Sequence, residues 1–325
     1  MSKNKTNHSF FKIIFISTTI LFTSLLSACA SPLPDGAKSY QMINSWGGNG
    51  DASGEFDEPT GIALSKDEIF VSDARNARIQ VFDYNGNFKR EFGNKGTKSE
   101  KLGRPMNLAI HKQALYVADY FNDQIKIYSL AGKHLRNIGS SGDKEGEFNA
   151  PAGVDVATNG DLIVADFYNQ RIQQLKAEGN FIRQWGTTGK TGIWSGRFNY
   201  PTDVAIDDNN RLFVADGFND RIQAFDSQGE YSDKWGGLFG LNTSGSKPGW
   251  FTTVSAIKIG PDSNIYVADF YNDRVQIFDR EGNLLNIINV APSELQHSAI
   301  AMAVANDGSL FIVNHGKHEI QHWRK

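Results

Sequence analysis

Short runs of alternating apolar and polar residues, separated by Gly, Asn and Asp turns, fill this 325-residue chain from about Ser39 to its end. One run and its sequel recur in register: VSDARNARIQVF, VADYFNDQIKIY, VADFYNQRIQQL, VADGFNDRIQAF and VADFYNDRVQIF, with IVNHGKHEIQHW as a degenerate sixth copy. The Asp of each copy falls at Asp73, Asp119, Asp166, Asp216 and Asp269, and Asn314 takes its place in the sixth, at spacings of 46, 47, 50, 53 and 45 residues. A period of that size marks stacked units. Every copy has a short alternating run before it, a third run after it and a fourth that ends in FG, IG or WG in most units. Four short strands per unit, none able to bury both faces until a neighbour stacks on it, describe a propeller blade. The pattern therefore predicts an all-β fold: one six-bladed β-propeller of four-stranded blades over residues 39–325.

The two ends of the chain predict how the ring closes. The last unit supplies three strands, roughly Ala299 to Ala305, Ser309 to Val313 and Glu319 to Trp323, and lacks a fourth. Tyr40 to Gly47 has the pattern of the fourth strands ending at Phe92, Ile138, Trp185 and Trp235, and it precedes the first unit. Pairing this N-terminal strand with the last blade completes it and leaves no open sheet edge.

Ahead of the repeats, Lys3, Lys5 and Lys12 precede an apolar stretch from Ile13 to Leu26, the layout of a secretory signal peptide over residues 1–28. Leu26, Ser27, Ala28 and Cys29 resemble the lipobox of bacterial lipoproteins, which implies that Cys29, the one cysteine in the chain, is lipidated. Residues 29–38 are then a short tether to a membrane. The resemblance places the protein in the bacterial cell envelope, and Ala30 after the cysteine implies the outer membrane if the source is Gram-negative, facing the periplasm or the surface. Removing the leader takes the basic count from 33 to 30 against 36 acids, a net charge of −6. That balance argues against nucleic acid as a partner.

The units themselves resemble NHL repeats, on Pro59 to Ala63, Gly160 to Ile163, Val164 to Asp166, Asn169, Arg171, Trp185 and Gly186. The resemblance covers about Tyr40 to Lys325 and implies a six-bladed propeller. NHL propellers serve as binding and sensor modules, and one branch is a lyase, so fold alone leaves activity open. The repeated Asp, Asn and Arg sit where a carboxylate can hold turn amides and pair with the Arg, a structural staple. Blade two has Gln124 in place of the Arg, and blade six loses the set.

Function is sought where the repeats differ. The turns between second and third strands carry Tyr120, Phe121, Phe167, Tyr168, Phe218, Phe270 and Tyr271, and the loops between blades add Trp194, Phe239 and Trp250. Both sets emerge on one face. The rings either fold against the next blade or form an exposed aromatic arc over blades two to five, suited to a protein, peptide or glycan of the envelope. The central channel is the other candidate. Aligned inner strands carry small residues, broken by Asn107 and Asp203 at one level and by Asp155 and Lys258 two residues on, with Asp155 and Lys258 expected to meet as an ion pair. The alternative function is an extracytoplasmic metal-dependent lyase or lactonase-like hydrolase working in that channel. It lacks a converging histidine set in the sequence, so no catalytic residue, metal ligand or cofactor is assigned.

Overall fold

The computed structural model describes residues 39–95, 98–290 and 298–325. Leader, Cys29 and tether lie outside the described residues. Six antiparallel four-stranded sheets stand around one axis, and each of the first five blades uses its strands in chain order. The sixth is ordered Gln41–Gly47, Glu319–Arg324, Leu310–Asn314, Ala299–Val304, so the N-terminal strand supplies its outermost member. Gln41 faces Arg324 and Gly47 faces Glu319 in that ladder, which joins the two ends of the chain. Among the described residues no helix is long and apolar enough to cross a membrane.

Apolar packing lies between blades rather than within them. One cluster joins blades one and two through Phe70, Leu102 and Tyr128, and others join two to three, three to four and four to five. The largest runs from blade five through six into blade one, around Phe56, Tyr266, Met302 and Phe311. Burial at these seams comes from the alternate residues of each pleated strand. The inner strands approach so closely that a Cβ on Gly153 would lie 2.6 Å from Cα of Asp203, and one on Gly61 would lie 2.3 Å from the Met106 carbonyl oxygen. The small residues of the inner strands thus serve contact with the neighbouring blade.

Polar staples hold each blade's turn. In blade three, Asp166 accepts Nε of Arg171 at 2.8 Å, Nδ2 of Asn169 at 2.9 Å, Nε2 of Gln173 at 3.1 Å and the Asn149 amide at 2.8 Å. Arg171 continues to the carbonyl oxygens of Lys144 and Glu147, so one buried pair fixes both the turn and the loop arriving from blade two. Asp73, Asp216 and Asp269 repeat the arrangement with Arg78, Arg221 and Arg274. Blade two exchanges the order: Gln124 stands at the arginine position, and Lys126, two residues on and fully buried, brings the cation to 3.9 Å from Asp119.

A second set of bonds clasps neighbouring blades. The residue four places after each staple Asp has positive φ, at Ala77, Asp123, Gln170, Asp220, Asp273 and His318. Four of their side chains accept the backbone amide just ahead of the next inner strand: Asp123 from Ala150, Gln170 from Tyr200, Asp220 from Thr253 and Asp273 from Ser298. At the closing seam His318 does the same with its Nδ1 for the Glu58 amide at 3.2 Å. Between blades one and two Ala77 has no acceptor, and the Arg104 amide turns to Asp119 of its own blade at 2.9 Å.

Every inner strand pairs its first residue with the staple Asp, or with Asn314 in blade six, and then shifts register. Such bulges re-aim side chains. Here they turn Thr60, Met106, Ala152, Thr202, Ser255 and Ile300 toward one mouth of the channel.

Two outcomes test this architecture. Deleting Tyr40 to Gly47 removes the outer strand of blade six, and calorimetry should record one lowered transition for the entire ring rather than the loss of a small separate one. Lys126→Gln leaves a buried carboxylate uncompensated and should cost about 3 kcal/mol in denaturant unfolding. Combining it with Gln124→Arg rebuilds the arrangement of the other blades and should recover most of that loss.

Candidate functional site

The turns between second and third strands open on the same face as the loops between blades. In blades two to five their first and last side chains are drawn inward, since the staple Asp accepts from an Asn three residues later. The two residues between them point away from the blade. Tyr120 and Phe121, Phe167 and Tyr168, and Phe218 occupy those positions in blades two, three and four. Their rings touch in sequence: Tyr120 lies 5.9 Å from Tyr168 and 6.0 Å from Phe167, and Phe167 lies 6.3 Å from Phe218. Tyr200 fills the angle between blades three and four, 4.9 Å from Phe167 and 5.1 Å from Phe218. These are tilted and edge-to-face contacts, the geometry that aromatic quadrupoles favour. In blade five Phe270 and Tyr271 pack at 5.0 Å, and Phe270 reaches His315 of blade six at 6.0 Å.

The rings remain open to solvent on their outer side. Phe121, Tyr168, Phe218 and Tyr271 are each about half exposed or more, and Trp194 and Phe239 on the loops between blades are more exposed still. Trp250 departs from the sequence expectation. It is buried over Gly245, with the Lys247 ammonium 5.2 Å from its ring, and its carbonyl accepts Arg274 and Gln276. The aromatic ring fills the bend of its own long loop, so Trp250 is a packing residue and leaves the exposed set.

Inside the aromatic arc the channel mouth forms a cavity of about 420 Å³. The six bulge residues make its floor, Tyr120, Phe121, Phe167 and Tyr168 its wall, and Arg104 and Asn107 complete the lining. Arg104 stacks 5.6 Å over Phe121 and bonds Glu58 at 2.7 Å. Glu58 also pairs with Arg75 at 2.5 Å. Burial, and then a hydrogen bond shared with Tyr168, raise the Tyr120 hydroxyl far above the ordinary phenol range.

The four channel residues named from the sequence divide between two places. Asn107 lines the cavity. Asp203 and Lys258 are bonded to each other at 3.1 Å, and the Ile257 amide donates to the same carboxylate oxygen. The expected partnership of Asp155 with Lys258 is replaced by this one, because Asp155 turns to the Ile206 amide and its own Val156 amide. Both aspartates therefore tie one inner strand to the next. Burial raises Asp155, opposed by the nearby Lys258 charge, and pushes Asp203 up to about 6 against the same opposition. His111, further along the channel, is lowered by burial and by Lys112.

Tyr200 and Arg104 were not singled out in the sequence. Each occupies the last position before an inner-strand proline, the place held by Glu58 and Ala150 in other blades. An alignment at that position, in addition to the turn, exposes both. Among the described residues no group of three His, Cys, Asp or Glu side chains is placed to hold a metal ion.

A family model for the NHL repeat matches residues 56–82, 148–175 and 198–225, which places NHL repeats in blades one, three and four. Protein brain tumor of Drosophila melanogaster is 41% identical over 76 residues, 22% of this chain, and the match spans 7% of that protein's length. Among solved structures, a protein of unknown function from Bacteroides thetaiotaomicron superposes with a TM-score of 0.65 at 16% identity, over 87% of this chain and 75% of its own. Virginiamycin B lyase from Staphylococcus aureus with Quinupristin superposes with a TM-score of 0.57 at 15% identity, over 87% and 84%. At these identities the likeness is one of fold.

The channel pair has a pH signature. Asp203 is held above its unfolded value, so its contribution to stability is full below about pH 4 and declines as pH rises through about 6. Lys258→Met removes the cation that limits this rise. The variant should melt close to wild type at pH 4.5 and fall progressively further below it toward pH 8.

Proposed function

We propose that this NHL-repeat propeller is a binding or scaffold module of the bacterial envelope, tethered through a lipidated Cys29, that recognises a protein, peptide or glycan with the loop face. The observation that carries the reading is the run of touching rings from Tyr120 to Phe218, half open to solvent around a cavity. Exposed apolar surface of this kind opposes solubility and has no packing role, which is the usual mark of a recognition surface. Repeats and fold support a binding or scaffold role in general. The anchor rests on the leader pattern and the lipobox-like residues, and the envelope location follows from it.

A second reading has some support in the fold shared with virginiamycin B lyase and in the Asp203–Lys258 pair deep in the channel. It is a metal-dependent lyase or lactonase-like hydrolase. The polar groups of that channel are engaged in bonds between inner strands, as Asp155 and Asp203 show. Such engagement favours structure over chemistry. Metal analysis of the purified mature protein separates the two, because a metal-dependent enzyme should retain about one equivalent.

The surface is tested by pull-down from cross-linked envelopes, comparing wild type with a variant carrying Tyr168→Ala, Trp194→Ala and Tyr271→Ala. All three side chains are exposed, so the ring should fold normally. Loss of a partner or glycan from the captured set is the expected result. An unchanged set sinks the loop-face reading.

A further inference from the structure

The cavity at the centre of the aromatic arc offers a ligand very little hydrogen bonding, and this narrows what it can hold. Three hydroxyls stand on its floor, and all three donate to backbone carbonyls: Thr60 to Pro105 at 3.0 Å, Thr202 to Val254 at 2.7 Å and Ser255 to Ala299 at 3.2 Å. These bonds stitch one blade to the next, so the protons are committed to the ring. On the wall, the Tyr120 and Tyr168 rings lie 5.9 Å apart, and Tyr120 is half-buried. Arg104, the charged residue of the lining, is matched by Glu58. The other floor and wall groups are Met106, Ala152, Ile300, Phe121 and Phe167.

One polar group is left over. Asn107 is 5% exposed, lines the cavity, and its side-chain Oδ1 has no partner. A buried amide oxygen without a donor costs about 1–3 kcal/mol, a cost that a ligand N–H would relieve once the Asn107 side chain turns that oxygen into the cavity. The register break in blade two puts it there: the strand skips from the Pro105–Asp119 pair to Leu108–Val117, leaving both Met106 and Asn107 outside the ladder.

Resting on the reading of the loop face as the working surface, we propose that this cavity takes one neutral, apolar or aromatic side chain of a peptide, with the peptide's own backbone amide paired to Asn107. A sugar ring fits poorly, since each of its several hydroxyls needs a donor as well as an acceptor, and the floor's hydroxyls have only lone pairs left to offer. A cationic side chain would find no carboxylate in the lining to pair with, since Glu58 is held by Arg104. An amide, by contrast, complements the Asn side chain as donor and acceptor together. A volume of about 420 Å³ lies in the range of small-ligand sites.

Met106 provides the probe. The chain has four methionines, and Met106 is the one that lines the cavity. Methionine-methyl NMR of the purified chain would follow titration with N-acetyl-L-phenylalaninamide and, separately, with a trisaccharide of glucose, which has hydroxyls and no amide. The expected result is a saturable shift of the Met106 methyl with the capped phenylalanine and none with the trisaccharide. Asn107→Leu should weaken the capped phenylalanine about five- to tenfold, with unfolding checked separately. A Met106 shift with the trisaccharide and none with the amino-acid amide overturns the assignment in favour of a glycan. If neither probe moves Met106 while the triple alanine variant loses its envelope partner, this inference falls and the loop-face reading stands. If neither moves it and the captured set is unchanged, both fall.

Discussion

A carboxylate buried at the end of the second strand in five of the six blades is the constraint on which this propeller depends. Unpaired, Asp166 or Asp216 at full burial would be very costly, and an Arg from the next strand with an Asn from the turn answers that cost. The guanidinium then has donors to spare, and they go to carbonyls of the loop entering the blade. One ion pair thereby sets a turn, a strand register and a loop path. It also leaves the turn residues between Asp and Asn outside the staple, and these are the positions at which the blades differ, from Ala74 and Arg75 in blade one to Phe167 and Tyr168 in blade three.

The repeat, the strand count and the closure were legible because they rest on backbone periodicity, which every copy repeats. The turn aromatics were legible for the same reason, as departures at a defined position of a regular phrase. Trp250 was misleading because loops of Gly and Ser carry no periodicity from which inward or outward facing can be read. The partner of Lys258 was misassigned for a subtler cause. Each inner strand has a bulge after its first residue, and a strict alternation cannot show which residue of a neighbouring strand lies level with it. Tyr200, Arg104 and the exchange of Arg-x-Gln for Gln-x-Lys in blade two were visible in the residues, but only once the register had set Gln124 opposite Asp119 and the side chain of Lys126 near its carboxylate.

The seams between blades are not equivalent. Four are clasped by an Asp or Gln side chain, one by no such side chain, and the closing seam by an imidazole. His318 accepts the Glu58 amide while His315, its pKa lowered by burial, hydrogen-bonds the Pro59 carbonyl. Both roles require at least one neutral ring nitrogen or a directed N–H at a single place. The seam that completes the ring is thus joined through imidazole nitrogens, whereas four of the others are joined through carboxylate or amide oxygens.

The strand Gln41–Gly47 begins beside Arg324 and ends beside the last turn of blade six. The first and last described strands therefore both open on the side away from the rings, where Lys325 lies 5.6 Å from the Tyr40 ring. Anything attached to either terminus holds the molecule by its back. A short attachment there would leave the aromatic side clear for large objects to land on.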